Sequence, residues 1–326
     1  VKFIIWQLLI LLFSVFFTDC NRKTDSGEAI DILTLKGPSG MGMISMIDSP
    51  TRLGRKQVNI EVLDEPMQVR TRLLVDKPEF AVLPLNMAAI LFNKGVQYQV
   101  LAIPVWGTLY LFGSDTTVRT WKDLKGKPVH LMGKGATPDI LFRYLLERNG
   151  LVPGEDVLLD YSFPTHVDLS NAVIAGEADL AVISEPLVSM AQARNPDIRE
   201  IMDLNREWAT AVPENPSLPQ TALLVRKDFA ANNPGLVKTI AEAWEKSTEF
   251  VSLNPTIAAG MIARQKILPD STVALKSIPR CNLRFRWASD VKARINGYLQ
   301  VFLTFNPDAV GGRLPDETFV YQKPDR

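Results

Sequence analysis

From Ile30 onward, short runs of β-branched residues alternate with longer amphipathic segments, the rhythm of βα units built around mostly parallel sheets. Strands of that kind are covered by helices on both faces, so the chain is confined to a layered α/β architecture. Ile32–Leu35, Asn59–Leu63, Phe80–Leu83 and Gln99–Ile103 read as strands, with helices starting near Ser39, Pro66 and Asn86. Leu109–Phe112 reads as a strand crossing into a second group. That group has strands at Val129–Met132, Val157–Tyr161 and Leu180–Ile183, and helices from Thr137, near His166 and from Pro186. The proline- and asparagine-rich stretch Pro213–Pro219 is a loop before a return crossing over Thr221–Val225. Beyond it, Gly235–Leu253, Thr256–Ile267, Ser271–Ile278 and Asp290–Phe305 place apolar residues at helical spacing, and are expected to pack back on the first group.

A chain of 326 residues exceeds what one hydrophobic core usually serves. The pattern therefore predicts two lobes with a cleft between them: residues 30–112 with 222–326, and residues 113–221. Lys and Arg number 36 and Asp and Glu 36, which removes the electrostatic footprint of a nucleic-acid binder. Cys20 and Cys281 are the only cysteines, too few for a disulfide framework or a thiolate zinc site. His130 and His166 lie in no metal or nucleophile motif, so neither a metal, a cofactor nor a catalytic set is expected.

At the start, Lys2 precedes an apolar run, Phe3 to Phe17, short of the ~20 residues a bilayer demands and suited to a signal-peptide core. The run stops at Thr18-Asp19-Cys20 and turns polar, which looks like a bacterial lipoprotein signal over 1–20, with Cys20 as the lipidated N-terminus and 21–29 as a tether. Asp19 stands where a small residue normally precedes the cysteine, and Phe17 where Leu is usual. A single uncleaved anchor helix is the alternative. Either arrangement holds the domain on a membrane outside the cytoplasm, in the periplasm or at the cell surface.

Two glycine-bearing turns lead from a strand into a helix and so offer free backbone N–H groups at the positive end of a helix dipole. The first is Gly37-Pro38-Ser39-Gly40-Met41, where Ser39 caps the helix or bonds a ligand and Gly40 permits close approach. The second is Gly133-Lys134-Gly135-Ala136-Thr137-Pro138, with Thr137 at the cap and Pro138 at the first helical position. A structural turn is the competing reading of both. Asn86 follows the third strand, at the carboxyl end where open α/β sheets bind ligands, and serves as a ligand contact or a plain helix cap. Trp106 walls the cleft or fills the core. Glu185, before Pro186, points into the cleft or caps its own helix. Trp208 is a further aromatic candidate, and Cys281 reads as a small buried hydrophobe.

Several blocks resemble the ABC-transporter solute-binding proteins of the nitrate, sulfonate and taurine type, a group that includes proteins similar to the pyrimidine synthase of thiamine biosynthesis. They are Lys36 to Met43, Leu83 to Lys94, Asp123 to Lys127, Gly133 to Pro138, Ile174 to Pro186, Ile278 to Asn282 and Val310 to Pro315. The resemblance implies a type II periplasmic-binding fold, α/β with two lobes joined by two crossing strands. It also implies a monomeric, extracytoplasmic component of an ABC importer. Such a component closes on a small polar or anionic organic solute and delivers it to a permease in the membrane. An enzyme on the same fold, related to the pyrimidine synthase, is one alternative. A surface lipoprotein that contacts another macromolecule is the other.

Overall fold

The computed structural model describes residues 29–49, 52–53 and 56–323. The expected signal segment, Cys20 and the tether up to residue 28 lie outside the described residues. In chain order the strands begin with β1 (Ile30–Leu35), β2 (Arg52–Leu53), β3 (Lys56–Leu63), β4 (Phe80–Pro84), β5 (Tyr98–Trp106) and β6 (Leu109–Gly113). They continue with β7 (Pro128–Leu131), β8 (Leu158–Asp160), β9 (Leu180–Ser184), β10 (Arg199–Asp203), β11 (Pro219–Arg226) and β12 (Leu283–Trp287). A seven-stranded sheet has the order β12-β5-β11-β4-β1-β3-β2, and a five-stranded sheet has the order β10-β6-β9-β7-β8.

Parallel pairing forms the heart of each sheet, β1 with β3 and β4 in one and β7 with β8 and β9 in the other. A helix follows each of these strands and covers a face, so β4 and β9 are buried along nearly their whole length. The antiparallel neighbours are the strands that meet the crossings. β6 comes from the other sheet and runs against β9, and β11 comes back and runs against both β4 and β5.

Leu109–Phe112, expected to cross between lobes, instead lies wholly in the second sheet, paired with β9 on one side and β10 on the other. The crossing itself is Gly107-Thr108, between the end of β5 and the start of β6. The boundary expected at 112/113 therefore moves to 107/108, and the return expected at 221/222 moves ahead of Pro219. The charge-rich stretch after Arg280 forms the edge strand β12, in which Phe285 and Trp287 are buried while Arg284 and Arg286 lie on the opposite, more exposed face. That period-2 alternation was present in the sequence but masked by the density of arginine.

Helix Pro234–Leu253 buries one stripe at helical spacing, with Val237, Ile240, Ala241 and Trp244 against the first sheet and Val251 against helix Pro255–Arg264. Helix Lys292–Phe305 departs from the expectation that the late helices serve the first lobe alone. Tyr298 packs 6.1 Å from Trp208, and Phe305 packs 5.8 Å from Tyr144, both partners belonging to the second lobe. Trp208 itself is fully buried, its Nε1 donating to the Asn215 carbonyl at 2.8 Å. This tryptophan is a core residue rather than a cleft wall, and truncating such a ring costs on the order of 3–5 kcal/mol.

Gly113 ends β6 where the neighbouring backbone comes close: a Cβ at this position would lie 1.8 Å from the Asp179 carbonyl oxygen. No rotamer relieves a clash with backbone. Gly113→Ala is therefore expected to cost at least about 3 kcal/mol, read as a lower urea midpoint at unchanged m-value.

Candidate functional site

The carboxyl ends of β1 and β4 in one lobe face those of β7 and β9 in the other, because two short crossings are tied to each other at the hinge. Gly107 N donates to the Leu218 carbonyl at 2.9 Å, and Thr108 donates through N and Oγ1 to Gln220 Oε1 at 2.8 and 3.1 Å. Asn282 Nδ2 donates to the Gly107 carbonyl at 2.7 Å, and Glu185 N to the Thr108 carbonyl at 2.9 Å. Backbone polar groups at a hinge buried between lobes need such partners.

Across the facing ends the lobes touch through neutral polar groups. Thr137 Oγ1 of the second lobe donates to Asn86 Oδ1 of the first at 3.2 Å, and Asn86 Nδ2 donates to the Ala309 carbonyl at 3.4 Å. Tyr298 is fully buried, with its hydroxyl beside the Thr137 side chain. Helix Thr137–Arg148 begins here without a side-chain cap, although Asp139 accepts from Gly135 N at 2.7 Å and from the Tyr161 hydroxyl at 2.6 Å. Gly135, at φ +82, backs onto Asn306.

A second, charged contact lies beside the first. Glu185 is 0% exposed and accepts from Ser189 N at 3.2 Å and Ser189 Oγ at 3.1 Å. Arg280, from the first lobe, donates through Nε to Glu185 and through Nη1 to Glu200 Oε2 at 2.6 Å. Burial raises the Glu185 carboxyl above its ordinary value, against the pull of Arg280 and Ser189.

Residues 51–247 match the family model described as ABC transporter, phosphonate, periplasmic substrate-binding protein. The chain belongs to this family of periplasmic substrate-binding proteins. A crystal structure of an ABC transporter from Parabacteroides distasonis superposes with a TM-score of 0.80 at 29% identity, covering 91% of this chain and 99% of that one. The aliphatic sulphonate binding protein SsuA of Escherichia coli matches with a TM-score of 0.74 at 17% identity, over 92% of this chain and 94% of its own. The nitrate-binding protein NrtA of Synechocystis PCC 6803 matches at 0.63 and 13%, over 87% of this chain and 84% of that one. A search of curated proteins gave no match. The fold is the periplasmic-binding fold that the resemblance implied, and the protein is an extracytoplasmic substrate-binding component of an ABC transporter.

Within this binding protein the expected site residues divide. Asn86, Thr137, Gly135 and Ala136 converge where the lobes meet. Ser39 is buried but does not cap its helix: Gly37 is the N-cap, at φ 85, and Pro38 the first helical residue. Gly40 and Met41 turn inward, Gly40 against Leu35 and Ile267, and Met41 into the cluster with Cys281. The glycine there serves packing within the first lobe. Thr137 and Pro138 each sit one position later than expected, with Ala136 as N-cap, so the threonine hydroxyl is freed from capping and reaches Asn86. Trp106 is 2% exposed, its Nε1 donating to the Arg284 carbonyl at 2.7 Å and its face covered by the Arg284 guanidinium at 4.9 Å. Glu185 lies one residue before its helix's N-cap, Pro186, accepts from the Ser189 N–H of the first turn and meets Arg280. Arg280, Glu200 and Tyr298 were not among the site residues expected from sequence. Arg280 was hidden in a charged run, and Tyr298 looked like any apolar position of a helix.

His166 heads helix His166–Ala175, its Nδ1 buried without a partner, and burial pushes its pKa down to about 4 from 6.5. The unfolded chain then binds more protons than the folded one between about pH 6.5 and pH 4, so stability falls as pH drops through that interval and levels off below it. His166→Gln is expected to remove this component. Urea unfolding of the two proteins from pH 7.5 to 4 should give a difference curve that changes across that window and is flat above it.

Proposed function

We propose that this binding protein captures a small polar or anionic organic solute between its lobes, closes on it by rotation about the hinge and passes it unchanged to a membrane permease. It works as a monomer, held at the membrane by lipid on Cys20. One observation carries the reading: Thr137 of one lobe hydrogen bonds to Asn86 of the other at 3.2 Å, so polar donors of both lobes converge on one place. The uncapped helix start at Thr137 adds backbone N–H groups and a positive dipole end, and the buried Tyr298 hydroxyl beside Thr137 adds a further polar group. Hydroxyl, amide and N–H donors together suit an oxyanion. The family description names phosphonate, and the solved relatives bind aliphatic sulphonate and nitrate. Phosphonates and sulfonates are accordingly the first class to test. Asn86, Thr137, Tyr298, Gly135, Ala136 and Ser39 are the proposed ligand contacts.

Melting temperature measured against alkylphosphonates, sulfonates, nitrate, amino acids and pyrimidine thiamine precursors is expected to rise for one class only. At a hundredfold excess over Kd the stabilisation is about 2.7 kcal/mol. Asn86→Ala combined with Thr137→Val should weaken that ligand at least about tenfold, or ~1.4 kcal/mol, by calorimetry. The reading fails if no compound shifts the melt, or if the bound compound is recovered chemically altered. The anchor is tested separately: Cys20→Ala should release the protein from the membrane fraction, and mass spectrometry of the wild-type N-terminus should show a diacylglyceryl-modified cysteine.

A further inference from the structure

We infer that Arg280 is a positioning residue for closure, a guanidinium that the first lobe inserts into an acidic socket on the second and that sets the balance between open and closed chains. The inference rests on the hinge-closure reading above, but not on the identity of the solute.

Arg280 ends the short 3-10 turn Ile278–Arg280, between helix Ser271–Ser277 and edge strand β12 of the first sheet. Its side chain leaves that lobe and enters a space walled by three parts of the second. Glu185 comes from the residue just after β9, Glu200 from β10 and Tyr110 from β6. Nε donates to Glu185, Nη1 donates to Glu200 at 2.6 Å, and the guanidinium lies 4.5 Å above the Tyr110 ring. The Tyr110 hydroxyl donates back to the Arg280 carbonyl at 3.2 Å, so the main chain of one lobe is fixed to the other as well. No other residue makes polar contacts to as many elements across the cleft among the described hydrogen bonds.

The chemistry of the socket makes it depend on this residue. The only cation bridged to Glu185 or Glu200 among the described ion pairs is Arg280. When the lobes separate, two carboxylates of the second lobe lose it together, and Glu185 keeps only Ser189 within its own lobe. Closure therefore regains a two-carboxylate, one-guanidinium set with fixed geometry, which a lysine ammonium cannot reproduce because it lacks the planar fork. The same contact exists whatever solute is enclosed.

The test uses the solubilised full chain without any solute. Fluorophores attached through azide-bearing residues at exposed positions Thr239 of the first lobe and Glu177 of the second report the distance between lobes by single-molecule energy transfer. The wild-type chain is expected to populate a short-distance state. Arg280→Gln should lower the closed-to-open ratio at least tenfold, and Glu200→Gln should lower it in the same direction. Arg280→Lys should fall between the wild type and Arg280→Gln. Glu200 is 31% exposed, so its variant keeps the test decisive should Arg280→Gln fail to fold. Two results overturn the inference: distance distributions that do not change in Glu200→Gln and Arg280→Lys while the melting temperature falls, which makes the contact a buttress only, or a wild-type chain already as open as the variants. Because no solute is present, a failed ligand panel and a failed distance test are separate outcomes.

Discussion

Only Gly107 and Thr108 separate the end of β5 from the start of β6, and that shortness governs the rest of the molecule. A connection of this length cannot let the two sheets drift apart. It is hydrogen bonded to the returning segment at Leu218 and Gln220, so both crossings move as one hinge. The residue at the crossing must also be small, because a Cβ on Gly107 would fall 2.5 Å from Asn205 Oδ1. Once the sheets are joined this way, the carboxyl ends of β1 and β4 have to look at those of β7 and β9. The site is a consequence of that geometry before any side chain is considered.

The contacts between the lobes are of two physical kinds. Tyr298 and Phe305 meet Trp208 and Tyr144 in an aromatic seam, which attracts without fixing orientation. Thr137 with Asn86, and Arg280 with Glu185 and Glu200, act through directed bonds that exist in one register only. A buried ion pair adds little net stability over an apolar replacement, yet removal of one partner costs about 3–5 kcal/mol because the other charge is stranded. The seam and the charged socket therefore play different parts. One draws the lobes together and the other decides how they meet.

Much of the fold was legible because burial on both faces leaves a strong imprint on strands such as Phe80–Pro84 and Leu180–Ser184, and because helix stripes repeat at three and four residues. β10 and β12 were not legible. β10 carries charge at three of its five positions and β12 on alternate residues, and β12 gains its strand character only by pairing with β5. Asn86 and Thr137 could be singled out because a strand-to-helix turn marks itself by glycine, proline or a capping residue, and the structure brings the two together. Arg280 and Tyr298 could not be, since nothing local distinguishes a bridging arginine from a solvated one or an interlobe tyrosine from a core one.

The amino-acid sequence by itself determined the α/β rhythm and the pair of lobes, which follow from periodicity and local turn chemistry, and it carried the motif blocks whose resemblance pointed to the family. Tertiary structure decided which residues face each other. It moved the crossing to Gly107 and Thr108, turned Met41 inward, shifted Thr137 off the cap and brought Arg280 to Glu185 across 95 residues of chain. Local physics sets the conformation of a segment, whereas a contact between lobes depends on the hinge that aligns them, and no stretch of sequence contains that alignment.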